Sequence, residues 1–454
     1  MSAVKNTSKP SVSPARAAAF DILLRIEEQD SYASELLHAS QYKNLSPVDH
    51  GLMTELVMGV LRWRSVLDRA ICQASSQKIQ KLDCEVLTAL RMAVYQLRWL
   101  ERIPAHAAIH ESVELVKRAR KRSAAPFVNA VLRKVSAQPQ QPVTSEAGSP
   151  HELASRYAHP EWLVDRWSTA FGIETPGLIC RHDQQIPQTT IPVRDPDAER
   201  ALKAEGIKLS AGLLLRSARG VESGNVTQTR TFREGAITIQ DEASQLVAAL
   251  VGTGSRILDC CAAPGGKTSI LADRNPKGSV VAVELRPQRA RLLQKLVRAG
   301  NVSIVTADAR HLPLSTEFDR VLVDVPCSGT GTLARNPEIK WRLKPEDLQD
   351  LQARQIAILT SAMSRVASGG KLIYSTCSLE REENSDVVQQ ALTRYESFRL
   401  LDCREELARL QAEGELVWKD LDSLISGPYL RTIPGIHPCD GFFAAILERK
   451  SATD

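Results

Sequence analysis

The chain has 454 residues, of which 43% are hydrophobic and 24% are charged, and its formal net charge is +5. This length exceeds one hydrophobic core, so two or three globular domains are expected, and no apolar run reaches the ~18 residues that cross a bilayer. The nine cysteines are scattered and form no Cys-x-x-Cys pair, which argues against a disulfide scaffold and a structural zinc site.

The amino-terminal segment, residues 1–15, is rich in Ser, Lys and Pro and has no apolar core. We predict a disordered tail rather than a secretory signal, and therefore a cytoplasmic protein. Residues 1–140 carry 20 Lys and Arg against 13 Asp and Glu, a net charge of +7, whereas the rest of the chain has a net charge of −2. The densest basic run comprises Lys117, Arg118, Arg120, Lys121 and Arg122. This run is either a contact for a phosphate backbone or a solvated helix end.

Residues 16–135 are predicted to be helical, because two apolar stripes repeat at helical spacing. The stripes comprise Leu52, Leu56 and Val60, and Leu87, Leu90, Val94 and Leu97. Pro47 and Pro104 predict helix boundaries, since a residue before proline resists the helical conformation. Residues 136–150 have almost no apolar content and are predicted to form a linker. Shorter, mixed patterns over residues 151–233 indicate a small α+β module.

Between residues 234 and 450, apolar strand-like runs alternate with helical stretches. The strand-like runs lie at 256–259, 280–284, 302–308, 320–324, 371–374 and 441–447. The helical stretches lie at 268–273, 288–299 and 345–366. This alternation is typical of a doubly wound parallel sheet. The predicted fold class is therefore α/β, with a Rossmann-like domain that follows an all-α domain and a small α+β module.

Two cysteines each follow one of these strand-like runs. Cys327 follows the run at 320–324, and Cys377 follows the run at 371–374. Strands joined by one crossover helix usually lie side by side, and ligands bind beyond the carboxyl ends of such strands. We therefore expect the two sulfur atoms to share a site beside Asp324. The alternative is that they are unrelated cysteines packed as small apolar residues.

Four runs end in a carboxylate, which suggests a cofactor with several hydroxyl or amino groups; these residues are Asp259, Glu284, Asp308 and Asp324. A glycine turn follows the first run, but Cys261 occupies the position where a nucleotide P-loop needs its first glycine, and the dinucleotide Gly-x-Gly-x-x-Gly pattern is absent. Glu284 lies 18 residues after Gly266, close to the ~20 at which an acid binds a ribose diol. A ribose-bearing cofactor that is not a dinucleotide indicates S-adenosyl-L-methionine.

Several segments resemble a known family: DCCAAPGGKT at 259–268, DVPCSGTG at 324–331, NPEIKW at 336–341, and YSTCS at 374–378 followed by Glu383 and Asn384. They are similar to the RNA 5-methylcytosine methyltransferases of the NOL/NOP/Sun type. IPAHAAIHESV at 103–113 and FVNAVLR at 127–133 resemble the NusB-like helical domain of one bacterial branch, the 16S ribosomal RNA enzymes of the Sun, Fmu or RsmB type. The resemblance covers nearly the whole chain. The departures are Cys260, at a position that is usually apolar, and Ser385, at a position where an acid is common.

The resemblance implies where the cofactor lies. S-adenosyl-L-methionine is expected on Cys261, Ala262, Ala263, Pro264, Gly265, Gly266 and Lys267. Glu284 is expected to take the ribose hydroxyls and Asp308 to meet the adenine. Asp324 is expected near the methionine end and the target base.

The resemblance also implies catalytic roles. Carbon 5 of cytosine is a weak nucleophile until a thiolate adds to carbon 6, and Cys377 is the implied nucleophile. Cys327 is implied to assist release, and Asp324 to stabilise protonation of ring nitrogen 3. Lys267 either lowers a thiol pKa, orients Asp324, or is a plain surface lysine. DNA enzymes place the nucleophile after a proline, which would select Cys327, and only the resemblance of the Thr376–Cys377–Ser378 motif favours Cys377.

The predicted function is methyl transfer to carbon 5 of a cytosine in RNA, above all 16S ribosomal RNA, with transfer RNA as the alternative substrate. We expect RNA as the partner, no metal, no membrane and a monomeric chain. A rival from another class is a non-catalytic NusB-like RNA-binding protein. That rival predicts the loss of Cys377, Cys327 or the glycine turn, and all three are present.

Overall fold

The computed structural model of the chain describes residues 12–29, 31–75, 77–138, 148–193 and 195–451. Most of the predicted tail and residues 139–147 of the predicted linker lie outside these ranges. The first helix begins at Pro14, so the end of the predicted tail already belongs to the helical domain. No helix within the described residues is both long and apolar enough to span a bilayer.

The helices are, in chain order, α1 (Pro14–Gln29), α2 (Ala33–Leu37), α3 (Pro47–Ser75), α4 (Cys84–Trp99), α5 (Ala105–Arg118), α6 (Ala125–Ala137), α7 (Pro150–Arg156), α8 (Glu161–Phe171), α9 (Thr175–Asp183), α10 (Pro196–Ala204), α11 (Arg230–Arg233), α12 (Glu242–Leu250), α13 (Gly266–Arg274), α14 (Pro287–Leu296), α15 (Ile339–Arg342), α16 (Asp347–Met363), α17 (Ser385–Arg394) and α18 (Cys403–Ala412). The strands are β1 (Thr190–Pro192), β2 (Lys208–Ala211), β3 (Ala218–Ser223), β4 (Arg256–Asp259), β5 (Ser279–Glu284), β6 (Val302–Thr306), β7 (Phe318–Asp324), β8 (Val366–Thr376), β9 (Phe398–Leu401), β10 (Ile425–Ser426), β11 (Tyr429–Thr432) and β12 (Phe442–Arg449).

The chain forms two compact units. The first contains residues 1–185 together with 333–342, and the second contains 186–332 together with 343–454. The predicted α+β module at 151–233 is divided between them, since α7 to α9 fall in the first unit and β1 to β3 in the second. A chain can divide in this way because the helices bury their apolar faces against other helices, whereas the three strands pair with one another.

The first unit is a helical domain, as the apolar stripes predict. Its core is built mainly from α1, α3, α4 and α6, and it includes Leu56, Val60, Leu90 and Val94 of the two stripes. Helix α3 begins at Pro47, and Pro104 directly precedes α5, so both predicted boundaries are confirmed. Proline favours such positions because the first turn of a helix needs no donor from its backbone nitrogen.

The segment 333–342, which carries the NPEIKW motif, folds within this helical unit. The Glu338 carboxylate accepts a hydrogen bond from the backbone N–H of Ala33 at 2.9 Å. The Trp341 indole N–H donates to the Leu61 carbonyl at 2.5 Å, and the Lys340 ammonium donates to the Arg62 carbonyl at 3.0 Å. Local sequence patterns do not predict these contacts, because Leu61 and Arg62 of α3 precede the motif by about 280 residues.

The second unit is built on a nine-stranded sheet. Strands β6, β5, β4, β7 and β8 lie side by side in that order, and neighbouring strands are parallel. The predicted α/β class and the parallel core of the sheet are confirmed. The last predicted strand, β12, runs antiparallel to β8, and β9, β10 and β11 extend this antiparallel part. The direction reverses because a loop rather than a crossover helix joins β11 to β12.

The order of the strands places a crevice at the carboxyl edge of the sheet. The chain proceeds from β4 to β5 and β6 on one side, then returns to form β7 and β8 on the other side of β4. Such a reversal leaves an opening between the loops after β4 and β7, and open α/β sheets bind their ligands at this point. Both the glycine turn after β4 and Asp324 at the end of β7 lie there.

Lys340 gives a prediction for the stability of the helical unit. Its side chain is buried, and burial lowers its pKa from the ordinary 10.5 to about 7, although the Asp183 carboxylate favours the charged form. The unfolded chain therefore binds one more proton than the folded chain between these pH values. The free energy of unfolding should rise with pH in this range, by at most about 1.4 kcal/mol per pH unit from this residue.

In the variant Lys340→Met this rise should be absent, and it should persist in the control Lys344→Met, which removes an exposed lysine. Denaturant unfolding of the three proteins at a series of pH values measures the difference. Equal pH dependence in wild type and Lys340→Met would contradict the account of a buried, destabilised ammonium.

Candidate active site

The two predicted thiols meet at the carboxyl edge of the sheet. Cys377 directly follows β8 and Cys327 lies three residues beyond β7. These strands are parallel neighbours in register, and the two Sγ atoms are 3.4 Å apart. The predicted juxtaposition of the thiols is confirmed. All nine cysteines of the chain are free, and the described residues contain no group of three or more His, Cys, Asp or Glu that could hold a metal ion.

The close approach of the two sulfurs affects their ionisation. The hydrogen bond to Cys377, together with burial, raises the pKa of the Cys327 thiol well above its ordinary value. Either sulfur can donate the hydrogen bond that joins them. The thiolate is the nucleophilic form of cysteine, and two sulfurs this close cannot both be thiolates without strong repulsion, so one can be ionised while the other keeps its proton.

Asp324, at the end of β7, is held on both sides. One carboxylate oxygen lies 2.7 Å from the Lys267 ammonium, and the other accepts a hydrogen bond from the Ser375 hydroxyl at 2.7 Å. Lys267 also lies 5.0 Å from the ring centre of Phe442. Three roles for Lys267 were left open by the sequence, and this contact supports the one in which Lys267 orients Asp324.

The glycine turn between β4 and α13 needs its two glycines. Gly265 has a φ of +116°, and a Cβ there would lie 2.5 Å from the Val297 side chain. A Cβ on Gly266 would lie 2.8 Å from the side-chain oxygen of Gln240. The turn is also fixed to the sheet, because the Ala262 N–H donates to the Val283 carbonyl at 2.9 Å. The turn therefore packs closely against the side chains of Val297 and Gln240, which only glycine allows at these two positions.

The four predicted strand-end carboxylates differ in their surroundings. Asp259 is buried at the end of β4 and accepts a hydrogen bond from Thr268 at 2.7 Å; burial raises its pKa to about 6. Glu284 is buried at the end of β5, and one of its oxygens accepts from the Arg286 N–H at 2.9 Å.

Asp308 departs from the prediction that it ends a strand. Strand β6 ends at Thr306, and Asp308 lies at the start of a 3₁₀ turn, where it accepts a hydrogen bond from the Arg310 N–H at 2.9 Å. The Arg310 guanidinium, 2.6 Å from the carboxylate, lowers the pKa of Asp308. The prediction fails by two residues because an aspartate that caps a turn extends the apparent strand pattern.

Glu383 has a structural role that the sequence patterns did not reveal. Its carboxylate is fully buried and accepts hydrogen bonds from the Ser328 backbone at 2.8 Å, from the Ser378 hydroxyl at 2.5 Å, and from the Ser328 hydroxyl. Gln355 of α16 donates to the same carboxylate at 2.8 Å. Because Ser328 and Ser378 directly follow the two cysteines, one carboxylate fixes both thiol loops.

Asn384 supports the same arrangement. Its side-chain oxygen accepts from the Thr376 hydroxyl at 2.5 Å, and its amide donates to the Ser378 carbonyl at 2.9 Å. The residues on both sides of Cys377 are therefore tied to Asn384. The only signal for these roles in the sequence is that Glu383 and Asn384 follow the YSTCS segment within six residues.

Solved structures share this fold. The molecule described as "Crystal Structure of PH0851" has a TM-score of 0.77 and 23% identity, covering 97% of this chain and 100% of that one. A methyltransferase homolog protein from Pyrococcus horikoshii has a TM-score of 0.54 and 27% identity, covering 67% of this chain and 100% of that one. Fold and site together define a Rossmann-like methyltransferase domain.

Comparison of sequences narrows this class to one family. Residues 250–448 match the family model for 16S rRNA methyltransferase RsmB/F, and residues 13–137 match the NusB family. A probable ribosomal RNA small subunit methyltransferase B of Bacillus subtilis (strain 168) is 34% identical over 96% of this chain and 98% of that protein. The corresponding Vibrio cholerae protein is 32% identical over 96% and 97%. The chain belongs to the RsmB/F family, and the predicted NusB-like domain is confirmed.

Replacing Glu383 with Gln keeps the size of the side chain but removes the charge that its four donors share. We expect the two cysteine loops to shift, and a misplacement of about 1 Å between reacting groups lowers a rate roughly 100-fold. The methyl-transfer rate should fall accordingly, and the free energy of unfolding by roughly 1.5–3 kcal/mol for each charged hydrogen bond lost.

Kinetics, denaturant unfolding and the pH profile of Cys377 alkylation by iodoacetamide measure these effects. The neighbouring substitution Glu382→Gln is the matched control, since it removes the same charge from a partly exposed position. A Glu383→Gln protein with the rate and alkylation profile of this control would show that the buried carboxylate does not position the thiols.

Proposed function

We propose that the chain transfers a methyl group from S-adenosyl-L-methionine to carbon 5 of a cytosine in 16S ribosomal RNA, through a covalent adduct with Cys377. The main support for this proposal is that the Sγ atoms of Cys327 and Cys377 lie 3.4 Å apart beside Asp324. Methyl transfer to carbon 5 needs both a nucleophile for carbon 6 and a base for the hydrogen on carbon 5, and two adjacent sulfurs can supply both. Ribosomal RNA as the substrate is supported by the names of the curated relatives.

The residues at the sheet edge fit S-adenosyl-L-methionine. The glycine turn after β4 leads directly into α13, and small residues at such a turn let a ligand approach the backbone N–H groups at the helix start. The buried carboxylate of Glu284 lies at the end of the next strand and is suited to a ribose diol. Asp308 is the candidate contact for the adenine and Asp324 for the methionine end. When bound, the cofactor supplies a methyl group that is electrophilic because it is attached to a sulfonium.

In the first step the Cys377 thiolate adds to carbon 6 of the cytosine. The carbon 5–carbon 6 double bond opens, its electron pair is delocalised towards nitrogen 3, and nitrogen 3 takes up a proton from solvent water. The Asp324 carboxylate, fixed by Lys267 and Ser375, accepts a hydrogen bond from the protonated nitrogen. This bond strengthens as charge develops on the ring, so it favours the adduct over the free base. Carbon 5 then has the electron density to accept a methyl group.

Release of the product needs a base, and the thiol pair supplies one in the correct order. Before the attack Cys327 holds its proton, because the hydrogen bond to Cys377, burial and the charge of Cys377 raise its pKa. Once Cys377 is bonded to carbon 6, this charge is lost, and the pKa of Cys327 falls. Cys327 then loses its proton to solvent water, and its thiolate takes the hydrogen of carbon 5 as a proton. The electron pair left on carbon 5 re-forms the carbon 5–carbon 6 double bond, the carbon 6–sulfur bond breaks with its electron pair on Cys377, and nitrogen 3 gives its proton back to water.

A cytosine can meet two sulfurs in a crevice only if it is unstacked. The proposed substrate is therefore a cytosine in a single-stranded region or one that is flipped out of a helix. The proposal assigns the enzyme to the cytoplasm, where ribosomal RNA is found.

The two cysteines give opposite predictions. The variant Cys377→Ala should form no adduct and no product, because nothing adds to carbon 6. The variant Cys327→Ala should form the adduct but fail to resolve it, so a covalent protein–RNA species should accumulate on denaturing gels. Accumulation in the Cys377→Ala protein would instead assign attack to the cysteine that follows Pro326.

The carboxylates should separate cofactor binding from catalysis. Glu284→Ala should weaken the binding of S-adenosyl-L-methionine by roughly 1–3 kcal/mol, the loss of charged hydrogen bonds to a diol. Asp324→Asn should lower kcat more than it lowers cofactor affinity, since its role is at the target base. Isothermal titration calorimetry and steady-state kinetics measure the two effects. An unchanged cofactor affinity in Glu284→Ala would remove the ribose assignment.

A further inference from the structure

Helix α14 carries a concentration of positive charge that the proposed mechanism does not use. Residues 286–298 contain five basic residues and no acid: Arg286, Arg289, Arg291, Lys295 and Arg298. All five are exposed, and within the described part of the chain none of them takes part in an ion pair. Exposed cations that no carboxylate neutralises attract anions from solution.

The helix holds these charges in a fixed position beside the glycine turn. Its buried face comprises Ala290, Leu293 and Val297, and the last two lie so close to Gly265 that no Cβ would fit there. The Arg289 guanidinium donates to the Ala263 carbonyl at 3.1 Å. Arg289 therefore lies at the carboxyl edge of the sheet, and Arg291, Lys295 and Arg298 follow on the exposed side of the same segment.

A cleft of about 330 Å³ lies between α14 and β6. Its lining includes Arg291 and Gln294 of the helix and Thr306 of the strand. These side chains offer a cation, an amide and a hydroxyl, which are groups that contact phosphate and sugar oxygens in protein–nucleic acid complexes.

Three of the five cations in the basic run at 117–122 differ in this respect. Lys117 lies 2.6 Å from Glu114, Arg118 lies 2.8 Å from Asp21, and Lys121 lies 3.1 Å from Asp83. A phosphate that bound there would compete with three carboxylates. The sequence of the run itself does not show this pairing, because Asp21 and Asp83 lie far from it along the chain.

We propose that the basic segment 286–298, which contains α14, is the docking surface for the phosphate backbone of the RNA substrate. This inference rests on the proposed function and adds to it the surface along which the strand runs to the thiols. Binding to phosphates releases counterions, so the affinity should fall with salt by about 0.7 in log K per log salt for each contact with a single strand.

The test uses the full-length chain and a 16S ribosomal RNA transcript as the probe. The variant Arg291→Gln/Lys295→Gln/Arg298→Gln removes three charges from the basic segment 286–298. The variant Lys117→Gln/Arg118→Gln/Lys121→Gln removes the three paired charges of the run at 117–122. Fluorescence anisotropy over a series of KCl concentrations should show a salt slope that is smaller by about two in the first variant and nearly unchanged in the second. The affinity for S-adenosyl-L-methionine should be unchanged in both.

The charge-preserving variant Arg291→Lys/Arg298→Lys separates charge from folding, and it should keep the wild-type salt slope. The proposal would be wrong if the triple variant of segment 286–298 bound the transcript with wild-type affinity and salt slope. It would also be wrong if the triple variant of the run at 117–122 lost as much affinity and salt slope as that variant. Either result would leave the proposed function intact as long as the wild-type protein binds and methylates the transcript. A wild-type protein that neither binds nor methylates the transcript would instead contradict the proposed function itself.

Discussion

The site depends on one buried negative charge. A carboxylate removed from water is stable only when hydrogen-bond donors surround it, and Glu383 obtains its donors from Ser328, Ser378 and Gln355. Satisfying this charge therefore draws the loops after β7 and β8 to one point. The cysteines that precede the two serines are brought together as a consequence. The parallel pairing of the strands sets the common edge, and the carboxylate sets the distance between the sulfurs within it.

The short distance between the thiols also determines their order of action in the proposed mechanism. Two sulfurs 3.4 Å apart cannot both carry a full negative charge without strong repulsion. Ionisation of one keeps the proton on the other, and covalent bonding of the first removes this effect. The state of Cys377 thus controls when Cys327 can become a base. A single pair of side chains can therefore serve two successive steps without any change of fold.

The sequence predicted the elements whose patterns are local. The strands β4, β5, β7 and β8, the helical first third and the meeting of the thiols follow from apolar runs and from general rules of parallel sheets. Contacts between distant residues were not predictable in this way: the burial of the NPEIKW motif in the helical unit, the four donors to Glu383, and the pairing of Arg118 with Asp21. The limits of β6 were misplaced because Asp308 continues the strand pattern while it caps a turn.

In the proposed mechanism Cys377 attacks and Cys327 releases, and RNA that contains 5-fluorocytidine can trap the attacking residue. Fluorine on carbon 5 cannot be removed as a proton is, so the reaction should stop at the methylated adduct in the wild-type protein. Proteolysis and mass spectrometry of this species in the presence of S-adenosyl-L-methionine identify the attached residue. We expect the nucleotide to be attached to the peptide that contains Cys377. A nucleotide on the peptide that contains Cys327, or no covalent species at all, would contradict it.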